Sequence, residues 1–422
     1  MDTTNQMFNL MKLPEYTPLF KGKKVAVDGV GAVGSHLVQI LAMMGVGEIW
    51  CFDFDKFEKD NMSKCSGMVD PDTDVGHAKA QAVAAQAQRR MVEGGKCYGI
   101  HGDLRNYGPM VFAGFDVIFI ALDNYAAKEL VNQNIPQISA KQRPVIGMAG
   151  TSGESAVAVL LDGKEFCLRC LFDESWLENS DVRTSCSGPQ YMQIEGVAKE
   201  VRTSGLASLI AAAMLAEKFR AWTLGDPNVM NTRTTYTPYP NLELLDTAPM
   251  RKRNCPDCKS FAPPETIQLL MGSVLELTLG EALRQISSLL EREDYELQVH
   301  LMRFKELSYG GFIKNEFCHH CGKPVSVYAH ESRIHFEDIL CDECIAADNS
   351  AYYNAERPVG EVIRYFTPDL QEEKLSSMTL YDLGYPVGAY LYVSFRNETG
   401  DKKRYCFSCM GDLEAMQTLD QL

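Results

Sequence analysis

The sequence predicts an α/β protein with a doubly wound, Rossmann-like, mostly parallel sheet, followed by a smaller α+β zinc-binding domain. Three observations predict this. A glycine-rich turn joins an apolar strand to a helical pattern near the start, apolar strands then alternate with helices, and cysteines recur in CxxC pairs. With 422 residues, 45% of them hydrophobic, the chain has enough apolar side chains for two or three packed domains.

The first elements follow in the order that opens a doubly wound sheet. The strand KKVAVD, residues 23–28, runs into the turn GVGAVG, residues 29–34, and then into the helical pattern SHLVQILAMMGVG and a second strand, EIWCFDFD. Continuous apolar runs predict further strands, and longer apolar or Ala/Gln-rich segments predict helices. The predicted strands are 115–122, 144–150 and 154–161, and the predicted helices are 77–92, one from about Ala126, and 204–222.

The composition changes near Cys258 and predicts a domain boundary. The segment KSFAPPET contains two prolines, which is typical of a linker, and short elements such as SVLELT and LGEALRQISSLL follow it. We therefore predict one domain over residues 1–260 and a second over residues 261–422.

Charge and hydropathy exclude several classes of protein. The chain has 41 Lys and Arg against 56 Asp and Glu, a formal charge of -15, so its surface would repel nucleic acid and anionic lipid. No run reaches the roughly 20 apolar residues that a bilayer span requires, and the first residues lack the pattern of a secretory signal. We expect a cytoplasmic protein with no nucleic-acid or membrane partner. The helix over 204–222 ends in charged residues, so we expect it in a core or subunit interface.

The glycine turn predicts a nucleotide site. Gly29, Gly31 and Gly34 fit GxGxxG, which brings backbone N–H groups close to a phosphate at a helix N-terminus. Asp53 lies 53 − 34 = 19 positions after the last glycine, near the spacing of a ribose-binding carboxylate. These features suit a nicotinamide dehydrogenase as well as an ATP-dependent enzyme. A turn that only packs the helix on the strand is the alternative.

Three polar segments after the turn separate these possibilities. FDFDKFEKDNMSK, DVGHAKAQA and ALDN follow in this order. They resemble the ThiF/MoeB and ubiquitin-activating superfamily of adenylyltransferases, whose corresponding stretches read like DxDxVxxSNLxRQ, VGxxKxxxA and a strand ending in xxDN. The resemblance covers residues 20–260. It implies that the C-terminal glycine carboxylate of a ubiquitin-like or sulfur-carrier protein attacks the α-phosphorus of ATP, while cations and Mg²⁺ offset the negative charge.

The resemblance also implies roles for individual residues. The glycine turn and the polar residues after it would bind ATP, with Lys64, Lys79 and Asp123 also serving catalysis. A solvated helix charge at Lys79 and a strand-end cap at Asp123 are the alternatives. Asp53 is expected at the ribose hydroxyls, Asp55 in the same nucleotide site, Asn61, Lys64 and Lys79 near the phosphates, and Asp123 near Mg²⁺ and the triphosphate.

The sequence departs from the superfamily at three places. Lys64 stands where members usually have arginine, so a bidentate phosphate contact is lost there. The segment before Gly22 contains no arginine, although in dimeric relatives an arginine from that region reaches the partner's nucleotide. Asp28 stands where relatives have an apolar residue.

Ten of the fourteen cysteines form five CxxC pairs, which in a large protein of a reducing compartment indicates metal ligation more than disulfides. Two pairs of thiolates can surround one Zn²⁺ tetrahedrally, so we predict two structural zinc sites, with a redox dithiol as the alternative. The fifth pair, Cys406 and Cys409, has no further pair to complete a site unless it replaces another one. The predicted zinc ligands are Cys167, Cys170, Cys255 and Cys258 in the first site, and Cys318, Cys321, Cys341 and Cys344 in the second.

An unpaired cysteine, Cys186, is a candidate nucleophile. It lies in DVRTSCSGPQ with Arg183 nearby, just before the 204–222 helix. The resemblance implies that a cysteine of this kind forms a thioester or persulfide, although some relatives adenylate without using it. Cys65, which directly follows Lys64, is a minor alternative thiol.

The end of the chain bears on the choice of substrate. Residues 378–394, MTLYDLGYPVGAYLYVS, are similar to part of the ubiquitin-fold domains that recruit conjugating enzymes; a generic hairpin is the alternative. We predict a homodimeric activating enzyme for a ubiquitin-like protein, with thioester transfer to Cys186. The alternatives are a sulfur-carrier or peptide-modifying adenylyltransferase and a catalytically inactive scaffold subunit.

Overall fold

The chain folds into two compact units in this computed structural model. Unit 1 contains the described residues of Met1–Leu104 and Val111–Pro263, and unit 2 those of Arg105–Met110 and Pro264–Thr418. Unit 2 therefore includes a short segment from the first half of the chain. The described residues are 17–67, 70–102, 104–122, 125–163, 167–171, 193–194, 197–198, 204–248, 263–300, 311–318, 320–334, 336–346, 360–369 and 372–412.

Unit 1 is built on an eight-stranded sheet and on helices that connect its strands. A separate two-stranded ribbon is formed by β7 and β8. The strands are β1 Lys24–Asp28, β2 Glu48–Asp53, β3 Lys96–His101, β4 Val117–Ile120, β5 Val145–Ser152, β6 Ser155–Leu161, β7 Gln193–Ile194, β8 Val197–Ala198, β9 Thr232–Thr237 and β10 Glu243–Thr247. The α-helices are α1 Thr17–Lys21, α2 Ala32–Met44, α3 Lys79–Gln88, α4 Pro109–Ala113, α5 Tyr125–Asn134, α6 Leu168–Leu171 and α7 Gly205–Thr223, and short 3-10 helices span Lys59–Asn61, Leu104–Asn106, Ile135–Gln137 and Pro227–Val229. The first two residues of α4 and the last two of the helix Leu104–Asn106 belong to unit 2.

The strand order is β10-β9-β6-β5-β4-β1-β2-β3. The strands from β5 to β3 in this order are parallel, and β6, β9 and β10 extend the sheet antiparallel. The predicted doubly wound, mostly parallel sheet is therefore confirmed. The chain moves outward from β1 in both directions, so the sheet has its topological switch point between β1 and β4.

Apolar side chains cover both faces of this sheet. On one face, Val25 of β1 packs in a cluster with Leu37 of α2 and Phe219 of α7. On the other face, Trp50 of β2 packs edge-on against Phe115, with ring centroids 6.1 Å apart. Burial on both faces explains why these strands read as continuous apolar runs rather than as alternating patterns.

Some predicted elements differ in length or number from the observed ones. The strand predicted over 115–122 is the shorter β4, and the Asp116 carboxylate just before it accepts the Lys24 N–H at 2.9 Å. The helix predicted over 204–222 is α7, whose N-cap Ser204 accepts the Ala207 N–H at 3.0 Å. The hairpin of β9 and β10 was not predicted, because its residues are polar or exposed and lack an apolar run.

Unit 2 contains a mixed five-stranded sheet and a smaller sheet centred on β13. Its strands are β11 Ile267–Leu270, β12 Glu296–Gln298, β13 Phe312–Phe317, β14 Pro324–Val325, β15 Ala329–His330, β16 Glu361–Ile363, β17 Tyr365–Phe366, β18 Leu391–Arg396 and β19 Lys402–Cys409. Its α-helices are α8 Leu279–Leu290, α9 Asp342–Ala346 and α10 Glu373–Ser377, with 3-10 helices at Glu331–Arg333 and Phe336–Ile339.

The larger sheet has the order β11-β19-β18-β12-β17, with β11 parallel to β19 and the other pairs antiparallel. The helix α8 lies between β11 and β12 along the chain and buries its apolar side. A capping box at Thr278 and Glu281 defines its start. None of the described helices has both the length and the apolar composition that crossing a bilayer requires.

Backbone hydrogen bonds explain why residues 105–110 belong to unit 2. Gly108 N–H donates to Val387 O at 2.8 Å, and Met110 N–H donates to Gly388 O at 3.0 Å. Gly388 N–H in turn donates to the buried carboxylate of Asp412 at 2.7 Å. The connection between β3 and α4 is therefore part of the second unit.

We predict that Gly34→Ala destabilises unit 1 by about 1–3 kcal/mol, because overpacked positions cost this much when neighbouring backbone cannot move. A Cβ on Gly34 would lie 1.9 Å from the carbonyl oxygen of Gly29. Gly150→Ala is the control, since its Cβ would meet only Val157 Cγ1, at 3.9 Å. Chemical denaturation of both variants measures the difference, and equal stabilities would contradict this account of the turn.

Candidate functional site

The glycine turn joins the end of β1 to the N-terminus of α2. Gly29 has a φ of 84°, which favours glycine, and its N–H donates to Phe52 O at 2.8 Å. Gly34 lies against Gly29, so it allows the helix to pack closely on the strand. A Cβ on Gly31 would meet no atom within 4 Å, and no side chain caps the helix there. The turn therefore leaves open space beside the free N–H groups of a helix N-terminus, which is the usual setting for an anion.

Asp53, the last residue of β2, holds the turn in place. Its Oδ2 accepts the Val30 N–H at 2.9 Å, and its Oδ1 accepts the Asp55 N–H at 2.8 Å. Burial raises the pKa of Asp53 to about 6, while the Lys79 ammonium opposes this rise. Asp53 is therefore mainly ionised at pH 7, and it acts as an acceptor next to the glycine turn.

Lys79, the first residue of α3, is a buried cation in this cluster. It is only 4% exposed, and its Nζ lies 3.0 Å from Asp55 Oδ2. Burial lowers its pKa, but the carboxylates of Asp53 and Asp55 outweigh burial, so the net pKa is raised. Its backbone N–H also donates to Asp55 O at 3.0 Å. The side chain is therefore charged and held in the site, which contradicts the alternative of a solvated helix charge.

The loop with Asn61 and Lys64 is held against α2. Asn61 is buried and its side-chain oxygen accepts the Glu58 N–H at 3.0 Å. His36 of α2 lies with Nε2 3.1 Å from Lys64 O. Asn61 thus shapes the loop. His36, which belongs to none of the sequence motifs, fixes the position of the loop.

The predicted site residues are brought together only in part. The glycine turn, Asp53, Asp55 and Lys79 meet at the carboxyl ends of β1 and β2. Asp123 and Cys186 lie outside the described residues, so their roles stay predictions.

The first predicted zinc site is described for one half only. Cys167 and Cys170 are buried, with Sγ atoms 3.8 Å apart, and Cys170 N–H donates to Cys167 O at 3.0 Å. Cys255 and Cys258 lie outside the described residues. The pairing of the two knuckles stays a prediction.

The second cysteine set is brought together in unit 2. The Sγ atoms of Cys318, Cys321, Cys341 and Cys344 all lie within 4.8 Å of one another. The Sγ atoms of Cys321 and Cys341 are 3.5 Å apart. Ligands at about 2.3 Å from a tetrahedral Zn²⁺ are separated by about 3.8 Å, so the cluster fits a structural zinc ion.

The sequence around these cysteines builds the metal knuckle. Gly322 has a φ of 73°, and its N–H donates to Cys318 O at 2.9 Å, while Cys318 N–H donates to Lys323 O at 2.7 Å. His320 Nδ1 lies 3.3 Å from Cys344 Sγ, so it contacts a ligand sulfur although it is outside the four-cysteine set. These contacts come from residues outside the four-cysteine set, and they fix the orientation of the thiolates.

Cys406 and Cys409 are not part of this cluster. Both are buried in β19, where residues three positions apart point to opposite faces of the sheet. They therefore cannot replace one of the knuckles. Burial raises the pKa of the Cys406 thiol to about 12, which keeps it neutral at pH 7.

The fold and the site define a doubly wound α/β protein with an anion-binding glycine turn. The sequence model of the ThiF protein family matches residues 4–260, which is more than half of the chain. The chain belongs to the ThiF family, and the resemblance noted from its polar motifs is confirmed.

Curated relatives are similar over part of the chain. The SAMP-activating enzyme E1 of Haloferax volcanii is 29% identical over 177 residues, 38% of this chain and 58% of the relative. The SUMO-activating enzyme subunit 2 of Dictyostelium discoideum is 28% identical over 154 residues, 35% of this chain and 22% of the relative. The adenylyltransferase and sulfurtransferase MOCS3 of Mus musculus is 28% identical over 149 residues, 35% of this chain and 31% of the relative. The chain thus spans less than two thirds of each of these relatives.

Solved structures are also similar over part of the chain. The crystal structure of E. coli MccB with ATP has a TM-score of 0.44 and 20% sequence identity, covering 58% of this chain and 68% of that chain.

We predict that Cys341→Ser loses one zinc ion per chain and lowers the free energy of unfolding by about 4 kcal/mol or more, because loss of a structural metal is among the largest single-residue effects. Cys97→Ser is the control, since Cys97 lies in β3, outside the cluster. Metal analysis and thermal melting of both variants measure the effects. Unchanged zinc content in Cys341→Ser would show that the cluster is not a zinc site.

Proposed function

We propose that this protein is an ATP-dependent adenylyltransferase that activates the C-terminal glycine carboxylate of a ubiquitin-like or sulfur-carrier protein. Membership of the ThiF family supports the reaction class. The observation that carries the proposal is the buried Lys79, held charged by Asp53 and Asp55 beside the glycine turn. A buried cation next to an open anion site is suited to a polyphosphate.

In the proposed complex, the nucleotide phosphates bind at the N-terminus of α2. The space beside Gly31 admits the phosphate, and the free N–H groups of the first helical turn donate to it. Asp53 accepts hydrogen bonds from the ribose hydroxyls, because its ionised oxygens face the same turn. Mg²⁺ would neutralise phosphate charge, and Asp123 is its expected ligand.

Lys79 changes partner when ATP binds. In the ligand-free chain its Nζ pairs with Asp55, whose side chain is 46% exposed. An exposed carboxylate is partly solvated, so giving up this pair costs little compared with a contact to a triphosphate. Lys79 is therefore kept charged and near the site without being locked to a buried partner.

The reaction is a displacement at phosphorus. A carboxylate oxygen of the carrier protein forms a bond to the α-phosphorus of ATP, the bond from this phosphorus to the bridging oxygen breaks, and pyrophosphate leaves. No net proton transfer is required. The residues contribute mainly by positioning the reactants and by offsetting negative charge, of which Lys79 supplies the buried part.

The fate of the adenylate depends on Cys186 and on unit 2. We propose that the Cys186 thiolate attacks the acyl adenylate, forms a thioester and releases AMP. Residues 378–394, which resemble part of a ubiquitin-fold domain, form turns followed by the start of β18 in the mixed sheet of unit 2. On this resemblance we propose a conjugating enzyme as a further partner. We propose a homodimer as the assembly because the superfamily that the sequence resembles has dimeric members. The relatives with sulfur-carrier chemistry favour the second candidate, an adenylyltransferase without a thioester.

We predict that Lys79→Met lowers the rate of exchange between pyrophosphate and ATP by about 10²–10³-fold, as removal of one charge-stabilising donor does in other sites. Exchange is measured with a panel of small β-grasp proteins that end in Gly-Gly. Lys59→Met is the control, since Lys59 is exposed in the 3-10 helix Lys59–Asn61. Wild-type protein that binds ATP but exchanges pyrophosphate with no such protein would favour the inactive scaffold.

We predict that Cys186→Ala keeps full pyrophosphate exchange but loses the reducible adduct with the carrier protein, because the thiol acts after the adenylate forms. The adduct is detected by gel electrophoresis with and without a reducing agent. Cys65→Ala is the control, since it removes the other candidate thiol. An adduct that survives in Cys186→Ala would assign the thioester elsewhere, and its absence from wild type would favour the second candidate.

A further inference from the structure

Asp28, the last residue of β1, is an unusual buried acid. Its side chain is 0% exposed, and neither carboxylate oxygen has a hydrogen-bond partner among the described residues. Nearly all buried polar groups in proteins are hydrogen-bonded, so an exception of this kind requires an explanation.

The position of Asp28 is at the switch point of the sheet. It is paired with Ile120 of β4 on one side and with Phe52 of β2 on the other, and its carbonyl accepts the Ala121 N–H at 2.9 Å. The next residue is Gly29, the first glycine of the turn. Ligands of doubly wound sheets bind outside the carboxyl ends of the strands at this point.

Burial fixes the chemical form of Asp28. It raises the pKa of the carboxyl to about 8, and no charged neighbour contributes to the shift. Among the described residues, the charged groups at and beyond the end of the adjoining strand β2 are Asp53, Asp55 and Lys79, which pair with each other or with backbone N–H groups. At pH 7 Asp28 therefore has an O–H group that lacks an acceptor.

The unpartnered Asp28 carboxyl destabilises the fold when no ligand is bound. An unpartnered buried carboxyl loses its hydrogen bonds to water and gains none in return, whereas an apolar side chain of similar size would not. Because the folded chain holds the proton more tightly than the unfolded chain, stability falls as the pH rises from about 4 toward 8. An acceptor that arrives with a ligand would offset this cost.

We propose that Asp28 is a binding residue of the nucleotide site and donates its O–H to a phosphate oxygen of the bound nucleotide. The proposal rests on the proposed function. Asp28 is fully buried, so the proposal requires its carboxyl to rotate about χ1 toward the carboxyl edge of the sheet when the phosphate binds at the turn. A phosphate oxygen only accepts hydrogen bonds, so it can pair with the acid and is repelled by the carboxylate.

The test compares Asp28→Asn and Asp28→Val with the wild-type full-length protein. The amide of asparagine keeps a donor of the same shape, whereas valine is apolar and of similar size but has no donor. The Kd for ATP is measured by calorimetry between pH 6.5 and 9.5, with adenosine as a control ligand that has no phosphate. Thermal melting without nucleotide shows that each variant folds.

We expect Asp28→Val to weaken ATP binding about tenfold or more, the usual effect of losing a hydrogen bond to a charged group, without weakening adenosine binding. We expect Asp28→Asn to bind ATP within about threefold of wild type at pH 7. Wild-type affinity for ATP should fall as the pH rises above about 8, and that of Asp28→Asn should not. Ligand-free Asp28→Val should melt at a higher temperature than wild type.

Three outcomes would overturn the proposal. If Asp28→Val binds ATP as wild type does while the wild type remains active in pyrophosphate exchange, Asp28 is not a binding residue and the proposed function stands. If adenosine binding weakens as much as ATP binding, the contact is not to a phosphate. Wild-type protein that binds no ATP at any pH would overturn the proposed function, and this inference with it.

Discussion

The candidate site depends on the balance between one buried ammonium and the carboxylates around it. Burial lowers the pKa of Lys79, but Asp53 and Asp55 more than offset this effect, so the net pKa is raised and Lys79 stays charged. The same Asp53 holds the glycine turn through the Val30 N–H, so charge balance and turn geometry are a single arrangement. A change in any of these groups would alter both the charge available to a phosphate and the shape of the turn that receives it.

The two units meet different physical requirements. Unit 1 buries both faces of a parallel sheet and leaves its polar groups at the carboxyl ends of the strands, where a ligand can reach them. Unit 2 has shorter strands and smaller apolar clusters around the cysteines, such as the one formed by Cys318, Leu340 and Cys344. A metal ion bound by the four cysteines would stabilise this small cluster.

The polar residues of the site fall into two groups that the structure separates. Asp53 accepts a hydrogen bond from the glycine turn, and Lys79 pairs with the nearby Asp55, so both are suited to bind a ligand at the turn. Asn61 and His36 instead hold the loop that follows β2, through the Glu58 N–H and Lys64 O. Asn61 therefore belongs to the residues that shape this loop, and not to those that are suited to bind the ligand.

Local patterns in the sequence determined the sheet, the glycine turn and the cysteine knuckles, because each depends on residues close together in the chain. Strand length and turn geometry follow from apolar runs and from glycine at defined spacing. Only the tertiary structure decided that Lys79 is buried against Asp55, that Cys406 and Cys409 lie on opposite faces of β19, and that residues 105–110 belong to unit 2. These depend on burial and on pairings between distant segments, which no local pattern records.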